Sequence, residues 1–199
     1  MTVGLRANVA GMSEQLRAYT RAIFDFDHVV RQARPGDWDK PSPCEGWTAR
    51  HVLGHVNALQ RYMDAAMHGQ PPTMNPMENP DQHAGDDPAA TWRATRDTIL
   101  ATLDQPGVLQ KVVTTFRGEQ KVDDMIGFNV GDTSVHAWDL AQAFGIAITL
   151  DASNVERVYE KLKQIDFPGM RSPTVFGPAI DVADADLQTR LLAFTGRSV

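Results

Sequence analysis

The sequence predicts a mainly all-α fold: a bundle of four long helices, short helices at the C-terminal end and at most a small hairpin. Three observations carry this. Apolar residues recur in steps of three and four over long stretches; prolines, glycines and capping residues punctuate those stretches; and only one β-branched run breaks the pattern.

The first stripe is Leu5, Val9, Met12, Leu16, Tyr19, Ile23, Phe26 and Val30, and the helix must end by Arg34 because Pro35 and Gly36 follow. Asp37 to Trp47, with two prolines and a glycine, reads as a loop. Thr48 is the expected N-cap of a second helix running to about His68, stopped by Gly69, Pro71 and Pro72. Gly69 to Asp86 is polar and rich in Pro and Met, and reads as a long surface loop; Met67 just before it, with Met74 and Met77, reads as flexible cover. Asp87 and Pro88 open a third helix through Trp92, Thr95, Ile99 and Leu103. The β-branched run Val112 to Thr115, then Phe116 and Gly118, suits a short hairpin or an extended crossover. A fourth helix spans about Asp123 to Phe144, with Gly145 just beyond it. Ser153 with Glu156 has the capping-box pattern for a fifth helix, and Leu187 to Phe194, closed by Gly196, forms the last. No internal repeat is present, and periodicity alone leaves the topology open. Residues 1–199 are read as one domain, with its core bundle at about 4–145 and a C-terminal appendage at about 146–199.

With 199 residues the chain is long enough to bury roughly 70% of its unfolded surface, so it needs no staple. Its single cysteine, Cys44, has no partner for an internal disulfide, and the N-terminal residues have neither the basic start nor the apolar run of a signal peptide. The expected compartment is the cytoplasm. No apolar run reaches the roughly 18 residues of a membrane span. The net charge of −6, without a Lys/Arg stripe, argues against nucleic acid.

Six histidines are available, and two of them, His51 and His55, stand one turn apart in HVLGH. That spacing is shared with zinc-protease helices, but Val52 occupies the position of the glutamate base, which removes the protease reading. In the fourth helix Asp132 precedes His136 by four residues, so both project from one face on consecutive turns. Such a pair can chelate one metal ion or can simply be a surface hydrogen bond. His55, among Val52, Val56 and Leu59, is the natural third ligand from a facing helix, and two His with one carboxylate would leave coordination positions open. Cys44 reads better as a packing residue beside Trp47 than as a nucleophile. Asp139 is placed either to orient a ligand or to pair with Arg50, and Trp138 as core or pocket wall.

The segments PSPCEGWTARHVLGHV (Pro41 to Val56) and VHAWDLAQAFG (Val135 to Gly145) together resemble the metal-binding helical bundles related to mycothiol-dependent maleylpyruvate isomerase, within the wider DinB-like superfamily. The tail FGPAIDVADADLQTRLLAFTGR resembles the C-terminal signature of an uncharacterised branch of that family. The resemblance implies a DinB-like four-helix bundle, usually a homodimer, that binds a divalent metal (zinc foremost, with nickel or iron as alternatives) through His55, Asp132 and His136, with His51 as a neighbour of the site. It also implies chemistry with mycothiol or another low-molecular-weight thiol, and so a thiol-dependent transferase or isomerase acting on a small electrophile. Only about 50 residues follow the fourth helix, less than the extra domain of the isomerase itself requires. The competing expectation is a non-catalytic bundle that binds a structural metal or a small molecule. A metal-dependent hydrolase would need a general base that the sequence does not offer.

Overall fold

The structure, a computed structural model, describes residues 12–70, 75–165, 171 and 176–199. Among them are six α-helices, α1 (Glu14–Val30), α2 (Ala49–Met67), α3 (Pro88–Leu103), α4 (Val122–Phe144), α5 (Ala152–Gln164) and α6 (Leu187–Phe194), and one antiparallel hairpin of β1 (Val112–Thr115) and β2 (Gly118–Lys121). The fold is mainly α-helical, as expected. None of these helices is long and apolar enough to cross a membrane.

The four long helices pack in a ring in which α1 touches α4 and α3, while α2 touches α3 and α4. Sequential neighbours α1 and α2 therefore sit diagonally, which is why the connection between them is long and why a simple hairpin series fails. The shared core is built from fully buried Ile23, Phe26, Leu53, Trp92, Ile99 and Leu140. Phe26 meets Trp92 with ring centroids 4.6 Å apart. The Trp92 indole N–H donates to buried Asp27, whose remaining acceptor capacity is met by Arg31 and Arg96. A carboxylate in the core thus has every partner it needs.

Several expectations are corrected locally. The first helix does not continue the stripe from Leu5: Ser13 caps it by accepting from the Leu16 N–H, so Met12 precedes the helix, and residues 1–11 lie outside the described residues. The fifth helix is capped by Asp151, which accepts from the Asn154 N–H, and Ser153 lies within its first turn. Met67 belongs to α2 and is buried, Met77 lies in the segment that follows, and Met74 lies outside the described residues. The 69–86 connection is more than surface cover, because Pro80–Ala84 forms a 3₁₀ turn packed on α2, with Ala84 wholly buried.

That turn depends on one glycine. A Cβ on Gly54 would lie 1.8 Å from the Pro80 carbonyl oxygen, so only a residue without a side chain lets this turn approach α2. The close approach also brings the preceding residues over His55. At the other end of the bundle Gly145, at φ 72°, closes α4 in the left-handed conformation expected of a helix terminator.

Candidate metal centre and its cleft

His55 lies in the middle of α2 and is 4% exposed. Its Nδ1–H is positioned to donate to the Pro76 carbonyl at 2.9 Å, which turns the Nε2 lone pair toward α4. On α4, His136 is set the same way: its Nδ1 lies 2.9 Å from the Asp139 carboxylate, leaving Nε2 facing inward. Between the two imidazoles stands Asp132, whose Oδ1 is 3.3 Å from His55 Nε2 and 3.7 Å from His136 Nε2. The three side chains offer ligand atoms that all lie within 4.8 Å of one another. Asp132 Oδ2 is covered and has no hydrogen-bond partner among the described residues.

These facts fit a divalent cation. Donors held about 2 Å from one ion in tetrahedral directions lie roughly 3.3 Å apart, close to the two measured separations. Each imidazole also has its second nitrogen fixed by a carbonyl or a carboxylate, the outer support that metal-bound histidines ordinarily have. Two nitrogen lone pairs and a carboxylate aimed at one point repel unless a cation, either a proton or a metal, sits among them.

The charge states follow. Burial pulls the His55 pKa down, but Asp132, by charge and hydrogen bond, and the Pro76 carbonyl outweigh it, so the pKa ends above the ordinary imidazole value. Burial disfavours the Asp132 carboxylate, yet His55, His136 and Arg197 hold its carboxyl below the usual range. Asp139 is completely buried and is nonetheless drawn down to about 2, because the His136 hydrogen bond and the Arg197 ion pair more than offset its desolvation.

Arg197 is the residue that the sequence did not single out. It extends from the tail beyond α6 and donates to both Asp139 oxygens, from Nε at 3.1 Å and from Nη2 at 2.8 Å. Asp139 therefore orients His136, one of its two expected roles, while Arg50 donates instead to the Gly85 carbonyl. His51, expected near the cluster, serves the helix end: its Nδ1 accepts from the Thr48 N–H at 3.2 Å. Trp138 is buried in the core, as one of its two readings had it. Cys44 packs against the core and donates its thiol to Asp139 at 3.3 Å. Burial, with the Asp139 charge beside it, pushes that thiol up to about 12, although Arg197 pulls the other way. Cys44, His136 and Asp139 also lie close enough to share an ion, but the Arg197 guanidinium already occupies that carboxylate.

The cluster opens into a cleft of about 910 Å³ bounded by the Pro43–Trp47 loop, α4, α5 and the C-terminal tail. The Trp47 ring stands 5.4 Å from His55 and 6.2 Å from His136, nearly parallel to the latter, and forms one wall beside the ligand atoms.

Fold and site together define a helical bundle with a two-histidine, one-carboxylate cluster at the base of a small-molecule-sized cleft. The family described as the mycothiol maleylpyruvate isomerase N-terminal domain matches residues 19–141, from α1 to near the end of α4, and the chain belongs to it. Two Mycobacterium tuberculosis proteins, both described as uncharacterised, are 29% identical to it over 197 residues, covering 94% of this chain and 99% of their own length: Rv0738 of strain ATCC 25618 / H37Rv and MT0763 of strain CDC 1551 / Oshkosh. The crystal structure of the mycothiol-dependent maleylpyruvate isomerase is similar with a TM-score of 0.59 at 18% identity, over 75% of this chain and 66% of that one. That likeness establishes the shared fold.

Proposed function

We propose that this protein is a metal-dependent thiol transferase or isomerase acting on a small electrophile. His55, Asp132 and His136 would hold one divalent cation, zinc foremost, with nickel or iron(II) compatible with the same donors. Mycothiol or another low-molecular-weight thiol would supply the nucleophile. The observation that carries this reading is the convergence of two Nε2 atoms and a carboxylate whose second oxygen is covered and unpartnered. Family membership adds support, since the solved relative is named as mycothiol-dependent.

When bound, the cation supplies the charge that keeps a thiol ionised near pH 7, against an ordinary value of about 8.5. The chain's own residues do the rest. Pro76 and Asp139 fix both imidazoles in the tautomer that presents Nε2. Arg197 keeps Asp139 anionic and in place, and Trp47 shields one side of the cluster. Three protein ligands leave room for an exchangeable group, as a reactive centre requires. Cys44, with its raised pKa and its thiol donating to Asp139, stays out of the chemistry. In this reading residues 1–199 work as one unit, since α5 and the C-terminal tail complete the cleft, and the protein acts in the cytoplasm as a homodimer.

The test is elemental analysis of protein purified without chelating resin, followed by a screen of thiol adducts with several electrophiles. Near-stoichiometric metal, lost in His136→Ala with the helical signal retained, is the expected result. An H136A variant that keeps its metal at wild-type affinity overturns the ligand assignment, and metal-loaded protein that accelerates no thiol addition overturns the activity.

A further inference from the structure

The chain carries a net charge of −6, yet five cationic side chains line its cleft: Arg117, Arg157, Lys161, Arg171 and Arg197. Among the described residues the carboxylates lining it are two, Glu45 and Asp132. Charge has therefore been concentrated in the cleft against the balance of the whole molecule, an arrangement that focuses anions.

Three of these cations are already engaged. Arg197 is paired with Asp139, Arg157 with Glu14 and Gln15, and Arg171 donates to the Gly177 and Phe194 carbonyls. Arg117 and Lys161 differ from them. Both lie at one aromatic ring, with the Arg117 guanidinium carbon 3.3 Å and the Lys161 ammonium 5.0 Å from the Phe128 centroid. Among the described residues no carboxylate bears on Arg117, and Asp124 influences Lys161 without forming an ion pair. Two like charges on a shared ring repel, and both groups are pulled below their ordinary pKa values: Arg117 by burial, and Lys161 by burial and then by Arg117 and Arg157.

The local structure explains how they come together. The β1–β2 hairpin turns through Phe116 and Arg117, and the Tyr62 hydroxyl accepts the Phe116 N–H at 2.8 Å, which anchors the tip to α2. Lys161 arrives from α5, and Phe128 rises from α4. Hairpin, α4 and α5 thus each contribute one member, and a counter-ion hydrogen-bonded to both cations would relieve the repulsion between them.

We propose that Arg117 and Lys161, held at Phe128, form an oxyanion subsite that takes a carboxylate or phosphate group of the small molecule entering this cleft. This deepens the reading of the cleft as a substrate site and rests on it: the electrophile is an anion, anchored away from the metal ligands by its charged end. A concave cleft of about 910 Å³ suits a small acid or phosphorylated metabolite.

Isothermal titration calorimetry of metal-loaded protein at low ionic strength tests this with succinate and inorganic phosphate as probes, and with neutral succinamide as the control. The wild type is expected to bind at least one anion and not succinamide. Tighter binding of succinate identifies a carboxylate site, and tighter binding of phosphate a phosphoryl site. Arg117→Gln and Lys161→Gln should each weaken binding about tenfold or more, the effect of losing one charge-assisted hydrogen bond. Lys161→Arg, which keeps the charge but not the shape, should weaken binding less than Lys161→Gln. If Arg117→Gln fails to fold, Lys161→Gln decides alone. Neither anion binding to the wild type, or wild-type affinity in the glutamine variants, overturns the subsite. So does anion binding abolished by His136→Ala and untouched by Lys161→Gln, which would put the anion on the metal cluster. Anion binding that survives in a protein without thiol-transfer activity supports the subsite and sinks only the proposed reaction.

Discussion

Replacing Gly54 with alanine separates the roles of helix propensity and packing in building the site. In an unencumbered helix the change stabilises by up to about 1 kcal/mol. Here the new methyl group would sit 1.8 Å from the Pro80 carbonyl oxygen, 2.7 Å from its carbon and 3.2 Å from the Ala84 nitrogen. These are backbone atoms, so the 3₁₀ turn must retreat by more than about 1 Å to reach ordinary contact, a form of overpacking that costs about 1–3 kcal/mol. Retreat also draws the Pro76 carbonyl away from His55, leaving a buried N–H without its acceptor at a further cost of about 1–3 kcal/mol. The net expectation is a loss of about 2–4 kcal/mol, or roughly 5–15 °C in Tm for a chain of this size. Metal affinity should fall about 10- to 100-fold, because one ligand loses the group that orients it. Gly127→Ala is the control: its methyl group meets no backbone but only the Gln15 side chain, the nearest atom Oε1 at 2.9 Å, so the propensity gain and the cost of shifting Gln15 from Arg157 should leave stability within about 1 kcal/mol of the wild type. Thermal melts and metal titrations of the two variants are the assay. Wild-type Tm and metal affinity in Gly54→Ala would refute the claim that this glycine positions His55.

The remaining predictions address charge. The raised His55 pKa means that its stabilising contribution in metal-free protein is fully present below the unfolded value of about 6.5 and is lost as pH rises through the folded value. Bound metal displaces that proton, so the gap between metal-loaded and metal-free Tm should be large at pH 7.5 and shrink strongly by pH 5.5; an equal gap at both values in scanning fluorimetry counts against histidine ligation. Asp139→Asn leaves the buried Arg197 without its counter-ion and should cost about 3–5 kcal/mol in urea unfolding, whereas a cost under 1 kcal/mol would mean that the pair contributes little. Cys44, with its thiol pushed up to about 12, should resist iodoacetamide at pH 8 in the native protein and react promptly once urea unfolds it; rapid native labelling would show that the thiol is not held by Asp139.

What was legible in the sequence had a local signature. The fourth helix was expected at about Asp123 to Phe144 and is Val122–Phe144, because its apolar period, its acidic first turn and Gly145 all act within a few residues. The Asp132–His136 pair was readable for the same reason: i, i+4 spacing on a helix fixes a shared face whatever the rest of the chain does. The overshoot of the first helix has a local cause too, since Ser13 sits within an unbroken three-four rhythm and its capping role shows only once the Leu16 N–H is seen to bond it. The turn at Pro80–Ala84 has no period to read, and its one sequence trace, Gly54, resembles a weak point in a helix instead of a contact. The support of the two imidazoles was out of reach for a deeper reason. The acceptor for His55 is a backbone carbonyl, which any residue carries, and Arg197 meets Asp139 across 58 residues of chain. Yet those partners are what supports the proposed metal reading over a plain surface hydrogen bond. A surface Asp–His pair needs only one imidazole nitrogen and leaves the other free to turn; here both Nδ1 atoms are committed elsewhere, so both Nε2 lone pairs are forced onto one carboxylate. A single proton can satisfy one of those lone pairs, whereas a divalent ion would satisfy both nitrogens and the carboxylate at once, which is the physical ground of the proposed metal site.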